Sequence, residues 1–216
     1  MRGRTAARIT RLWQQLHSTL NLTTRVMAQT MLSLQGIRSI PGRIVSLFDP
    51  QARPICRGKL DPKVEFGYKG LLVETEERVI TTYLVHEGNP ADSTLLIPAC
   101  DTHSRVVGKI PRAVATDRGF TSKVNEAQLV ERGVHRVSLP YRGRRSPPRR
   151  EHERQRWFRR LQRWRAGQEA TISLGTRKYE WQKSRMRGHD GARIHLGWGI
   201  IAYNLYRFAR MTQAAA

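Results

Sequence analysis

Arg112-Ala113-Val114-Ala115-Thr116-Asp117-Arg118-Gly119-Phe120 is the stretch that decides the fold class. Its short apolar run reads as a buried strand ending on Asp117, and Gly119 supplies the turn out of it. Downstream, Lys123 to Arg132 is patterned as a helix that stops at Gly133, and Val134 to Leu139 makes another short strand before Pro140. Upstream, Asn89-Pro90-Ala91-Asp92-Ser93 supplies turn and cap chemistry ahead of Leu95, Leu96, Ile97 and Ala99. A helix is therefore predicted from near Asp92, its cap, to just before Gly108. Farther back, Arg43 to Phe48 reads as a strand entering the turn Asp49-Pro50. Val64 to Lys69, Gly70 to Glu74 and Arg78 to Val85 read as an antiparallel meander. Strands first, then helix, strand, helix, strand and helix predict a mixed α/β sheet flanked by helices.

The 216 residues carry a formal net charge of +22, with a pI near 11.4, which calls for a polyanionic partner. Nucleic acid is the first candidate. Residues 141–187 hold sixteen Arg or Lys against four Glu, a net +12. Within them, Arg142 to Arg150 with Pro147-Pro148 reads as a flexible basic loop and Glu151 to Gly167 as a helix. Trp157, Leu161 and Trp164 recur at helical spacing and form its core face. That leaves Arg142, Arg144, Arg145, Arg149, Arg150, Arg156, Arg159, Arg160 and Arg163 for DNA phosphates.

Residues 1–42 contain no acid and place Ile9, Leu12, Trp13, Leu16 and Leu20 at helical intervals among arginines, a basic amphipathic helical segment. A membrane surface is the rival polyanion for it. Leu196 to Leu205 is about half the length needed to span a bilayer and reads as a core helix, followed by a disordered tail at 211–216. No secretory signal pattern is present, so the expected location is the cytoplasm. Cys56 and Cys100 are too few for a zinc cluster, and the seven histidines show no HxxxH or HxH pairing.

Two acids stand out against this basic background. Asp117 closes a strand, and Glu169 follows Arg165 by four residues, on the same face of the basic helix. A strand acid and a helix acid among arginines suit metal ions held against a phosphate, as in a nuclease or strand-transfer site. The plainer reading makes Asp117 a turn cap and Glu169 a salt-bridge partner of Arg165.

Several ordered segments also carry a resemblance: Ile44 to Ile55; Arg57-Gly58-Lys59 leading to Glu65-Phe66-Gly67-Tyr68-Lys69; Glu87 to Asp92; Ala115 to Phe120; and Arg154-Gln155-Arg156-Trp157-Phe158 with Arg165 and Glu169. Together they resemble the C-terminal portion of the catalytic domain of bacterial insertion-sequence DDE transposases. The resemblance implies a ribonuclease-H-like core in which Asp, Asp and Glu bind Mg2+, with Mn2+ as substitute. It makes Asp117 and Glu169 the second and third catalytic, metal-binding acids, with Arg165 in support. Family members often have a Tyr three residues before that Arg, where this chain has Gln162.

The first Asp of that triad belongs on a strand ahead of Ile44, yet no Asp or Glu precedes Asp49. Asp49 reads as a turn residue and is a disfavoured replacement. The expectation is a partial catalytic domain over residues 43–210, lacking its first strand, and weakly active or inactive alone. The implied partner is double-stranded DNA at insertion-sequence ends in a bacterial nucleoid, without a membrane, and with a homo-oligomer left open. The alternative is a non-catalytic DNA- or RNA-binding protein with a basic surface, in which the acids are structural.

Overall fold

A computed structural model describes residues 2–56 and 64–215; the Arg57-Gly58-Lys59 run lies outside the described residues. In chain order the elements are α1 (Arg2–Leu34), β1 (Arg53–Cys56), β2 (Val64–Glu74), β3 (Ile80–Glu87), α2 (Asp92–Val107), β4 (Ala113–Ala115), α3 (Lys123–Glu131), β5 (Arg136–Ser138), α4 (Pro147–Arg154), α5 (Arg156–Ala166), α6 (Gln168–Tyr179) and α7 (Gly188–Ala215). A 3-10 turn, Arg118–Phe120, follows β4. The chain divides into two units. One comprises residues up to 68, with Glu87–Asn89 and Arg187–His189. The other comprises Lys69–His86, Pro90–Met186 and residues from Asp190 on.

In the larger unit the helices begin and end where local chemistry dictates. The Ser122 hydroxyl accepts the Asn125 N–H at 2.9 Å and starts α3. Gly108, at φ +76, ends α2 in the left-handed conformation that glycine adopts without strain. Strands β4 and β5 pair in parallel, Ala113 with Arg136 through Ala115 with Ser138. Leu96, Cys100, Leu129, Val134 and Leu139 bury a first core beside them. Burial pushes the Cys100 thiol up, which keeps it protonated and inert. A second core joins Ile80, Leu196, Ile200 and Tyr203. α7 continues to Ala215, so residues 211–215 are helical where a disordered tail was expected.

The predicted break at Gly70 is also absent: Val64 to Glu74 is one strand, its second half flanked by β3. The expected loop at Arg142 to Arg150 closes earlier. Ser146 caps α4, whose two prolines occupy the first turn, where their missing N–H groups cost nothing. The helix expected from Glu151 to Gly167 is broken at Gln155, where α4 ends and α5 begins, and Glu169 belongs to a further helix, α6, that starts after Gly167.

The smaller unit holds α1, β1 and the first half of β2. Arg43 to Phe48 is not a strand; β1 takes that part instead, pairing antiparallel from Arg53 with Gly67 to Cys56 with Val64. Gln29 of α1 fixes the loop before it. Its Oε1 accepts the Ile44 N–H at 2.7 Å and its Nε2 donates to the Ile44 carbonyl at 3.1 Å. Among the described residues no helix is long and apolar enough to cross a membrane.

One buried group of the larger unit makes stability pH-dependent. Burial pushes the His103 imidazole below its usual value, and its Nδ1 lies 2.7 Å from Thr81 Oγ1. The unfolded chain then binds a proton more readily than the folded one below about pH 6.5, so stability is lost as pH falls. Thermal scans at pH 7.5 and 5.5 should show a smaller acid loss in His103→Gln than in the wild type. Equal losses would place the sensitivity elsewhere.

Candidate active site

All the groups of the candidate site lie in the larger unit. β4 delivers Asp117 to an exposed position at its C-terminal end. The carboxylate caps the 3-10 turn, Oδ1 accepting the Gly119 N–H at 2.8 Å. Gly119 leaves room for a second acid: a Cβ there would stand 2.5 Å from Asp92 Oδ2 and 3.1 Å from Asp117 Oδ1. The two carboxylates therefore approach within the sum of those distances. Asp92 occupies the first turn of α2, with Ala91 at the cap position and no capping bond of its own, which corrects its expected role as the cap. Lys69 Nζ holds its Oδ1 at 2.6 Å and offsets the like-charge neighbour.

The turn carrying Asp117 is held from behind by Asn125, whose amide donates to Ser93 O at 2.7 Å and Phe120 O at 2.8 Å. Sequence reasoning missed both Asp92 and Asn125 as site residues, since they join only through packing of α2 and α3 on the turn. Gln162 was seen only as a missing Tyr. Its Nε2 donates to Ser138 O at 2.8 Å, Ser138 Oγ at 2.9 Å and Thr116 O at 3.3 Å, tying α5 to the ends of both parallel strands.

A cavity of about 730 Å³ opens over Asp117. Its wall includes Arg118, Arg145, Arg150, Arg154, Arg159 and Arg165, with Gln162 and Phe158 at its floor. Of the arginines proposed for phosphates, Arg145, Arg150 and Arg159 line it, while Arg142, Arg144, Arg156, Arg160 and Arg163 are exposed elsewhere. Arg149 faces inward: it bonds the Leu139 carbonyl and pairs with Glu126 at 2.6 Å and Glu153 at 3.0 Å.

Arg165 shares the cavity with Asp117 and lies 3.8 Å from Glu169 Oε1. Glu169 stands in the first turn of α6, with an 80% exposed side chain, and does not line the cavity. Asp49 belongs to the smaller unit, where its Oδ1 accepts a 2.7 Å bond from the Tyr68 hydroxyl. Burial, that bond and the charge of Asp49 push the Tyr68 hydroxyl far up.

No three His, Cys, Asp or Glu side chains gather into a metal cage among the described residues. The donors at the cavity are carboxylate oxygens beside guanidinium groups. That set suits a hard cation completed by water and by substrate phosphate, the usual coordination of magnesium, more than a closed protein cage. Comparison with curated proteins and with solved structures gives no match. A family described as transposase DDE domain matches residues 42–205, most of the chain, and the protein belongs to that family.

Proposed function

We propose that this chain acts in DNA transposition by holding duplex DNA at insertion-sequence ends in the arginine-walled cavity over Asp117. The observation carrying this reading is the cavity itself, which six arginines line together with the strand-end carboxylate of Asp117 and one further acid, Glu153, paired with Arg145. Guanidinium forks match phosphate oxygens in pairs and fix the backbone without reading sequence. The strand end, the Asn125 and Gln162 supports and the Gly119 turn hold Asp117 in place at the rim.

Asp117 and Glu169 would hold Mg2+, or Mn2+ in its place, with Arg165 keeping Glu169 beside the cavity. Bound there, the ion would stabilise charge developing on the phosphate oxygens. Arg165 and Arg159 would orient the scissile phosphate, and Gln162 would keep α5 against the strand end. With Asp49 occupied by Tyr68, the first acid of a complete triad is wanting, and cleavage by the chain alone should be weak.

Supercoiled plasmid carrying a candidate insertion-sequence end, incubated with the chain and Mn2+, tests this. Slow nicking that falls at least tenfold in Asp117→Asn, with DNA affinity retained, is the expected outcome. Nicking unchanged by Asp117→Asn would overturn the catalytic assignment. Salt-sensitive binding without nicking in Mn2+ would leave the alternative, a non-catalytic DNA-binding protein.

A further inference from the structure

Helix α1 carries an apolar stripe that nothing in its own unit covers. Ile9, Trp13, Leu16, Leu20, Met27 and Leu34 step by three, four or seven residues, and each is at least 50% exposed. At 100° per residue these positions fall on one narrow face. The half-buried residues Leu22, Val26 and Gln29 lie on another side, toward the Ile44 loop that Gln29 bonds. Docking of α1 within its unit therefore leaves the stripe free.

The steps are heptad steps. With Trp13, Leu20, Met27 and Leu34 at a, the d positions are Ile9, Leu16, Thr23 and Thr30. Arg4, Arg11 and Arg25 then fall at f, the position farthest from the seam, and Arg8 at c, also off the seam. The flanking e and g positions between Ile9 and Leu34 hold no Lys, Arg, Asp or Glu. Two copies of this positively charged helix can thus meet along the stripe without bringing like charges together.

The choice of a and d residues also sets direction. A parallel pair would force Trp13 against its own copy. In an antiparallel pair a meets d, and the register that puts Trp13 opposite Thr30 puts Leu16 opposite Met27, Leu20 opposite Thr23 and Ile9 opposite Leu34. Every large residue then meets a small one or fits a like-sized apolar neighbour, which is how facing layers interdigitate. Leu12 and Met31 at the margins bring the exposed large apolar side chains to eight. At roughly 100 Å² each they offer on the order of 800 Å² per copy, the size of an ordinary specific interface.

We infer that α1 pairs with α1 of a second copy of this chain as an antiparallel coiled coil, an isologous twofold interface centred between Asn21 and Leu22. Sedimentation equilibrium or light scattering on the full chain should give twice the 24.9 kDa chain mass at micromolar concentration. Leu16→Glu with Leu20→Glu should return the mass to 24.9 kDa, and Arg11→Gln should leave it doubled.

The register is tested by exchange. Trp13→Thr and Thr30→Trp singly should each weaken dimerisation at least tenfold. Combined, they should restore it, because each Trp again meets a Thr. A monomeric wild type overturns the proposal, as does a double exchange no better than the singles. Flotation with anionic vesicles that is lost in the Leu16→Glu, Leu20→Glu variant of a monomeric chain would overturn it in favour of a lipid surface.

Discussion

Duplex DNA binding by this chain is expected to weaken by about a thousandfold between 50 and 200 mM salt. Each phosphate neutralised releases counterions and adds about −0.9 to the slope of log affinity against log salt. The six cavity arginines give a slope of about −5, hence roughly three decades over that fourfold range. Arg145, 3.0 Å from Glu153, and Arg165, 3.8 Å from Glu169, are partly neutralised already. Were both discounted, about two decades would remain. Fluorescence anisotropy of a labelled duplex over a salt series reads the slope. Arg150→Gln with Arg159→Gln should flatten it by about 2 on any sequence. Arg149→Gln should leave it unchanged, because that guanidinium is committed to Glu126 and Glu153. An unaltered slope in the Arg150, Arg159 double variant would remove the cavity from the DNA surface.

Replacing Arg78 by Met should cost about 3 kcal/mol of stability, or roughly 6 to 12 °C in Tm for a chain of this length. The side chain, on the turn between β2 and β3, joins β2 to α5. Its Nη2 donates to Trp164 O at 2.7 Å, its guanidinium lies 4.8 Å from the Trp164 ring centroid, and its Nη1 is 3.4 Å from Glu74 Oε2. The Glu74 side chain is only 1% exposed, and its other oxygen accepts from Thr171 Oγ1 at 2.7 Å. Met would fill some of the volume but leave a buried carboxylate and the carbonyl at the end of α5 short of donors. Arg78→Lys restores the charge without the planar fork and should recover part of the loss. Because Trp164 precedes Arg165, the loosened junction of α5 and α6 should also weaken DNA binding at temperatures below unfolding. A Tm within 2 °C of wild type would show that Glu74 finds another partner.

How much of this could be read from sequence depended on how local the causes were. α2 and α3 were legible because Ser122, Gly108 and Gly133 specify ends through their own backbone and hydroxyl chemistry. β1 was not: Arg-Pro-Ile-Cys is short, contains a proline, and becomes a strand only because Val64 to Gly67 offers it partners. Pro147-Pro148 resembled a loop because prolines break helix interiors, yet behind a Ser cap they open one. At the site, Asp117 and its turn could be read from one hexapeptide. The neighbouring Asp92 lies 25 positions away and reaches it only through the packing of α2 against the 3-10 turn, facing the missing side chain of Gly119. The basic helix drawn from Glu151 through Arg165 and Glu169 broke at Gln155 and again at Gly167, but the four-residue spacing still brought the pair to 3.8 Å.

Gln162 joins helix to strand ends through an amide, a group that neither gains nor loses a proton across the range in which proteins stay folded. A phenol or carboxyl in the same place would add its own titration to any rate measured there. With a neutral support behind it, the pH profile of whatever chemistry occurs over Asp117 should carry no inflection contributed by the α5 contact to the strand ends.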